Sequence, residues 1–145
     1  MKPHHRSART SVQMRDWPLS QLPGLSRENQ SQLEECGITT TSQLFRMTKT
    51  PAAKALLAHQ LDVNVQYVNK WAAMASLARI PSVGCQYCGL LLHAGVASVT
   101  NLAEMQVERL YEQILKLHVA TMQRNDLIPS VDRVQKWIHE AKLVS

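Results

Sequence analysis

The chain has 145 residues, of which 45% are apolar, and its 16 Lys and Arg residues outnumber its 11 Asp and Glu residues to give a formal net charge of +5. That length is enough for one domain, or for two small units that share a core. A single Phe and the lack of alternating apolar residues argue against a sheet. No apolar run approaches the roughly 20 residues that a membrane span requires. We therefore expect an all-α fold.

The basic charge is concentrated at the N-terminus. Residues 1–16 carry a net charge of +3, whereas the 12 basic and 10 acidic residues that follow give only +2. Residues 1–15 are polar and lack periodicity, so we predict a disordered basic arm, which is either an electrostatic contact for phosphates or an acidic partner, or a solvated tail. This segment is unlike a secretory signal, and three cysteines without a disulfide framework fit a reducing compartment, so we expect a cytoplasmic protein.

Helix signals follow one another along residues 16–79. After Asp16 and an early proline, a Leu-Pro-Gly-Leu-Ser turn at 22–26 is predicted to lead into a helix at 27–36, which Gly37 ends. Thr40 is a predicted N-cap, with Gln43 three residues later completing a capping box. Further helices are predicted after Thr50-Pro51 and, capped by Asn64, over residues 65–79.

The same plan returns in residues 80–145, with Ser98 and Ser130 as predicted N-caps and a predicted wider connection over residues 121–130. Residues 80–105 align without a gap on 22–47, at a spacing of 58. The aligned pairs keep apolar, proline and glycine positions: Leu22 and Ile80, Pro23 and Pro81, Leu25 and Val83, Leu33 and Leu91, Gly37 and Gly95, Leu44 and Leu102. Residues 65–77 align on 131–143 at a spacing of 66, which pairs Trp71 with Trp137 and predicts that both are core anchors. We predict two copies of one helical unit, 16–79 and 80–145, packed as one compact domain.

The two turns resemble the hairpin of the helix-hairpin-helix family, which reads hydrophobic-Pro-Gly-hydrophobic-Gly before a helix. We call residues 22–26 the first hairpin and residues 80–84, Ile-Pro-Ser-Val-Gly, the second hairpin. Each keeps one of the two glycines and has serine in place of the other. The paired, degenerate units look most like an uncharacterised bacterial domain-of-unknown-function family grouped with the helix-hairpin-helix superfamily. The resemblance covers about residues 17–143.

In such families the hairpin and the following helix N-terminus offer backbone N–H groups to a phosphate, and a nearby basic side chain adds charge. This contact reads no bases, so the resemblance implies sequence-independent binding of DNA or of the structured RNA backbone. Hairpin residues and nearby basic residues form the predicted site: Pro23, Gly24, Leu25, Ser26, Arg27, Arg46, Lys49, Ser82, Val83 and Gly84. The alternative is an interaction or scaffold protein whose degenerate hairpins and helix faces bind another protein.

Other candidate sites have simpler interpretations. Cys85 and Cys88 have the spacing of a redox or half-zinc motif, but they lack a thioredoxin-like setting and further ligands, so we expect the cysteines to be buried small hydrophobes. His59, His93, His118 and His139 show no ligand spacing and are predicted to be surface or half-buried. The sequence has no glycine-rich phosphate loop and no nucleophile elbow. We therefore expect no enzyme activity, no metal and no cofactor.

Overall fold

A computed structural model of the chain describes residues 13–121 and 128–144, apart from the side chains of 119–121. Within these residues the chain forms a 3-10 turn at Leu19–Gln21 and eight α-helices: α1 (Arg27–Glu35), α2 (Thr41–Met47), α3 (Pro51–Leu61), α4 (Val65–Ala78), α5 (Gly84–His93), α6 (Val99–Glu104), α7 (Val107–Thr121) and α8 (Val131–Val144). The described residues form no strand, and a single isolated bridge joins Pro18 to Thr40. The predicted all-α fold is confirmed.

Side-chain caps define where the helices begin. The hydroxyl or amide oxygens of the N-cap residues accept backbone N–H groups of the first turn at Ser26, Thr40, Thr50, Asn64, Ser98 and Ser130. Such caps satisfy donors that have no partner within the helix. The predicted caps at Thr40, Asn64, Ser98 and Ser130 are confirmed. α5 differs because Val83, its N-cap residue, provides no side-chain hydrogen bond.

One hydrophobic core draws on both halves of the chain. α4 packs against α2, α3 and α5, and α8 packs against α6 and α7. Trp71 on α4 and Trp137 on α8 are 2% and 0% exposed, which confirms that both are core residues. The α-helices that flank the hairpins therefore have fixed positions, since large buried side chains hold each one against its neighbours.

Positions 58 residues apart make the same local contacts. The N–H groups of Ile38 and Val96 donate to the carbonyls of Leu33 and Leu91, in both cases at 2.9 Å. Both contacts follow a glycine with positive φ, Gly37 at 84° and Gly95 at 99°. The side chains of the two capping boxes also correspond: Thr39 N–H donates to Gln43 Oε1 at 2.7 Å, and Ala97 N–H donates to Asn101 Oδ1 at 3.1 Å.

Some sequence predictions need correction. Cys36 is exposed rather than buried, because it is the C-cap residue of α1. His118 is buried, 6% exposed, and its Nδ1 lies 3.0 Å from the carbonyl oxygen of Ile114, one helical turn earlier. The predicted basic arm lies outside the described residues as far as residue 12, as does most of the predicted connection at 121–130.

Candidate nucleic-acid interface

The first hairpin leads into α1 with an uncapped pair of backbone donors. Ser26 Oγ accepts the N–H of Asn29 at 3.0 Å. The N–H groups of Arg27 and Glu28, at the first two positions of α1, donate to no atom of the described chain. These groups carry the positive end of the helix dipole, which favours an anion. The Arg27 side chain is exposed beside them.

Packing holds the first hairpin in place from its inner side. The ring of Pro23 lies against Gly89 of α5, since a Cβ added at Gly89 would meet Pro23 Cγ at 3.4 Å. Gly24 has a φ of 76°, and its α-carbon faces Met74 of α4. Leu25 is half-buried against the core. The hairpin is therefore positioned by two helices, while Gly24 and Arg27 remain exposed.

The second hairpin is occupied by a side chain of α8. Ser82 donates twice to Glu140 Oε1, from its N–H at 3.1 Å and from its hydroxyl at 2.7 Å. The carbonyl of Ser82 also accepts the indole N–H of Trp137 at 3.0 Å. A carboxylate oxygen thus lies where the hairpin would receive an anionic ligand. An approaching phosphate would meet a like charge there.

The backbone of the second hairpin also differs from that of the first. Val83 is buried, 1% exposed, and its N–H donates to the carbonyl of Ile80 at 3.0 Å. Gly84 donates to the same carbonyl at 2.9 Å and has a φ of 54°. A Cβ at Gly84 would lie 3.1 Å from the Trp17 ring. These contacts enclose the hairpin between Trp17 and α8.

Each hairpin keeps its glycine where φ is positive. Gly24 has this conformation in the first hairpin and Gly84 has it in the second, whereas the serines at the aligned positions, Ser82 and Ser26, do not. L-residues rarely adopt positive φ, and glycine does so without a steric penalty. The loss of one glycine from each copy therefore reflects two different backbone conformations. The sequence pattern alone could not distinguish this difference in backbone conformation from random substitution of the glycines.

Two of the predicted basic residues, Arg46 and Lys49, form no hydrogen bond or ion pair with the first hairpin in the described residues. Arg46 is exposed on α2. Lys49 Nζ lies 5.5 Å from the centroid of the Phe45 ring, and Arg79 Cζ lies 3.7 Å from the same centroid. The sequence analysis did not include Arg79 among the basic residues of the predicted site. Its place at the end of the helix before the second hairpin could have identified it as a basic residue near a hairpin.

The carboxylate of Asp16, just before Trp17, is engaged at the start of α2. Its Oδ1 accepts the N–H of Ser42 at 3.0 Å. Burial alone would raise the pKa of Asp16, but hydrogen bonds from Ser42, Thr40 and Trp17 together outweigh that effect and lower the pKa below its usual value. This bond fixes the segment before Trp17 to the start of α2.

The cysteines are poorly suited to redox or metal chemistry. Burial raises the pKa of Cys85 to about 11, and burial together with the neighbouring Cys85 raises that of Cys88 to about 12. Thiolates are the reactive and metal-binding form, so both side chains are held as neutral thiols at neutral pH. Among residues 13–121 and 128–144, no three His, Cys, Asp or Glu side chains lie close enough together to hold a metal ion.

The family model described as "Domain of unknown function (DUF4332)" matches residues 23–144. The chain therefore belongs to this family, and the match includes the second hairpin and all of the first except Leu22. No curated protein and no solved structure matches the chain significantly. In the part of the chain that the structure describes, none of the helices combines the length and the apolar character needed to cross a bilayer.

Proposed function

We propose that this member of the DUF4332 family is a non-enzymatic protein that binds the backbone of DNA or structured RNA without sequence preference, with the first hairpin as its principal contact. One observation carries the proposal. The N–H groups of Arg27 and Glu28 have no acceptor in the described chain, and they lie beside an exposed guanidinium. A phosphate oxygen is a suitable acceptor for all of these donors.

We also infer that the two halves are tandem, degenerate units of the helix-hairpin-helix type. At a spacing of 58, α2 and α6 have equivalent N-caps, and α1 and α5 end in equivalent C-terminal turns. α4 and α8 correspond residue for residue at a spacing of 66. In this arrangement Met74 is the counterpart of Glu140, and each contacts its own hairpin, at Gly24 and Ser82. A cytoplasmic location remains a prediction of the sequence.

The inferred units give the two hairpins different roles. The carboxylate of Glu140 is an internal anion for the second hairpin. Met74, beside the first hairpin, has no negatively charged acceptor. The first unit also contributes Arg27 and Arg46, whose counterparts in the second unit are Cys85 and Glu104. Nucleic-acid binding is therefore assigned to the first unit, with Lys49 as a further cation of that unit, and the second unit serves as its support.

Fluorescence anisotropy with labelled duplex and single-stranded DNA tests this function in the full chain. We expect duplex affinity to fall steeply between about 50 mM and about 200 mM salt, because neutralised phosphates release counterions. Arg27→Ala should weaken binding about fivefold. It should also reduce the salt slope, the steepness with which the logarithm of affinity falls with the logarithm of salt concentration, by about one. Cys85→Ala, at the aligned position of the second unit, is the matched control and should bind like the wild type. No binding at low salt would refute the proposal.

A protein-binding role is the second candidate. Large apolar side chains are exposed on α2, α3 and α4, with Met47 at 52%, Leu56 at 60% and Tyr67 at 56%. Single exposed apolar residues are common, but three on successive helices favour a partner surface more than a solvated one. Leu56→Glu should then abolish capture of the partner without changing DNA binding, whereas loss of DNA binding would place Leu56 in the first function.

A further inference from the structure

Three cations of the described chain gather around two aromatic rings at the end of α4, and we call Arg15, Phe45, Lys49 and Arg79 the Phe45 cluster. Arg79 and Lys49 both lie over the Phe45 ring, at 3.7 Å and 5.5 Å from its centroid. Arg15 N–H donates to the carbonyl of Arg79 at 2.9 Å, and Arg15 Cζ lies 5.5 Å from the Trp17 ring centroid. The cluster therefore joins the N-terminal segment to α2 and α4.

The guanidinium of Arg79 is held in one orientation, but only one of its N–H donors has a hydrogen-bond acceptor in the described residues. Its Nε donates to the carbonyl of Ser76 at 3.2 Å, and the Phe45 ring covers one of its faces. An arginine has five N–H donors, and no other hydrogen bond from this side chain is present within the described residues. Among the described residues, Gln113 Oε1 is the only buried side-chain polar atom without a hydrogen-bond partner. The remaining N–H donors of Arg79 have no partner in those residues either, so they are not buried and face solvent.

No carboxylate neutralises the cluster. In the described part of the chain, the one ion pair joins Lys116 to Glu112 on α7. Asp16 adjoins Arg15 in sequence, but its carboxylate accepts the N–H of Ser42. Desolvation lowers the pKa of Arg79, which indicates that its charge is held at an energetic cost without a compensating anion. Such a group gains more from an external anion than a fully solvated arginine does.

We propose that Arg79, with Lys49 and Arg15, forms a second phosphate-backbone contact on the nucleic acid, separate from the first hairpin. This inference rests on the proposed function, because it takes the same partner. A guanidinium held 3.7 Å from a ring centroid keeps a planar fork of donors that matches two phosphate oxygens. Lys49 lies over the same ring, the backbone of Arg15 is bonded to that of Arg79, and Lys2, Arg6 and Arg9 precede Arg15 in the sequence. That charge distribution suits a polyanion better than a single carboxylate.

Arg79→Met in the full chain tests the contact, since methionine keeps an apolar chain over Phe45 and removes the fork. We expect this variant to lose about fivefold in duplex affinity and about one from the salt slope, measured by anisotropy at two salt concentrations. Arg133→Met is the matched control, because Arg133 Cζ lies 5.2 Å from the Tyr87 ring centroid, in a different aromatic contact. It should bind duplex like the wild type.

Two further variants keep the test informative if Arg79→Met folds poorly. Arg79→Lys keeps the charge without the fork and should bind with intermediate affinity, and Arg15→Ala should weaken binding without affecting the core. Thermal unfolding followed by circular dichroism identifies variants that are folded. Equal binding by the folded Arg79 and Arg133 variants would overturn the proposal.

The outcomes separate this contact from the first hairpin. If Arg27→Ala weakens binding and Arg79→Met does not, the Phe45 cluster is excluded and the proposed function stands. If only Arg79→Met weakens binding, the cluster is supported and the hairpin is not the contact. Binding of labelled polyglutamate that depends on Arg79, without any such dependence for duplex DNA, would overturn the proposal in favour of an acidic protein partner.

Discussion

The two hairpins begin from nearly the same five-residue pattern and end in opposite environments. The first presents exposed Pro23 and Gly24 and leads into helix N–H donors that have no acceptor among the described residues. The second is enclosed, with Ser82 bonded to Glu140 and Gly84 against Trp17. The difference comes from side chains on α4 and α8, since Met74 and Glu140 occupy corresponding helix positions. Under the proposed function, a hairpin's capacity to bind an anion depends on a residue at least fifty positions away in sequence.

The largest expected effect concerns what the two units share. Trp71→Ala and Trp137→Ala each remove a buried indole, 2% and 0% exposed, and each should lower the free energy of unfolding by about 3–5 kcal/mol. Trp137→Ala should cost about 1 kcal/mol more, because the carbonyl of Ser82 loses its donor. Urea denaturation followed by circular dichroism measures both. Tolerance of one substitution but not the other would contradict equivalent core roles.

The thiols report on how the start of α5 differs from the start of α1. Cys85 aligns with exposed Arg27, and its pKa of about 11, against an ordinary value of 9.0, gives roughly 100-fold less thiolate at neutral pH. Exposed Cys36 should therefore be alkylated by iodoacetamide at least tenfold faster than Cys85, as measured by peptide mass spectrometry. Faster labelling of Cys85 would indicate that the second hairpin is open.

The same thiols predict a loss of stability in alkali. Folding raises the pKa of Cys85 and Cys88, so the neutral form is favoured in the folded state. The stability that this provides is complete below the unfolded value near 9 and is lost as the pH rises towards about 11 and about 12. A Cys85→Ala, Cys88→Ala double variant should show a smaller decrease in the unfolding midpoint over that range. An equal decrease would show that other groups cause it.

The hairpin glycines should differ in their tolerance of alanine. Gly24→Ala places a side chain at a φ of 76°, which costs about 1–2 kcal/mol, and its Cβ would have room, 3.9 Å from Met74 Cε. Gly84→Ala has the same backbone penalty, and its Cβ would also lie 3.1 Å from Trp17, so it should cost more. Gly89→Ala, on α5, has no penalty from positive φ, and its Cβ would lie 3.4 Å from Pro23 Cγ, so it should cost the least of the three. Chemical denaturation ranks the three, and the reverse order would contradict the enclosed second hairpin.

The smallest expected effect comes from opening the second hairpin. Glu140→Met installs the residue found at the corresponding position of α4, and it frees both donors of Ser82. Duplex affinity should rise about threefold, and the salt slope should grow by about one, because one more phosphate can be bound. Glu108→Met makes the same charge change at an exposed position of α7 and controls for net charge. Equal gains from both variants would show that only overall charge matters.

Much of the fold followed from local signals. Thr40, Asn64, Ser98 and Ser130 mark helix starts by a chemistry that acts within four residues, so the sequence alone was sufficient to locate them. The pairing of Trp71 with Trp137 likewise identified two core positions. These features depend on spacing along the chain, which the sequence displays directly.

The candidate nucleic-acid interface depends on contacts between residues that are far apart in the sequence, and the spacing of residues along the chain does not reveal such contacts. Nothing in the pattern of residues 80–84 indicates that a carboxylate from α8 reaches Ser82, although a glutamate aligned with Met74 was a signal that could have been used. The stacking of Arg79 on Phe45 joins residues 34 positions apart. Cys36 was misjudged for a related reason, because whether a helix end is exposed depends on what packs beside it.

The most direct test of the difference between the hairpins is an NMR titration of the ¹⁵N-labelled full chain with duplex DNA. We predict large amide shifts at Gly24, Arg27 and Glu28, since these groups lie at the proposed phosphate contact. The amides of Ser82 and Val83 should stay nearly unchanged, because they already donate to Glu140 and Ile80. Larger shifts at Ser82 than at Arg27, or no shifts at either hairpin under conditions where the DNA binds, would contradict the account.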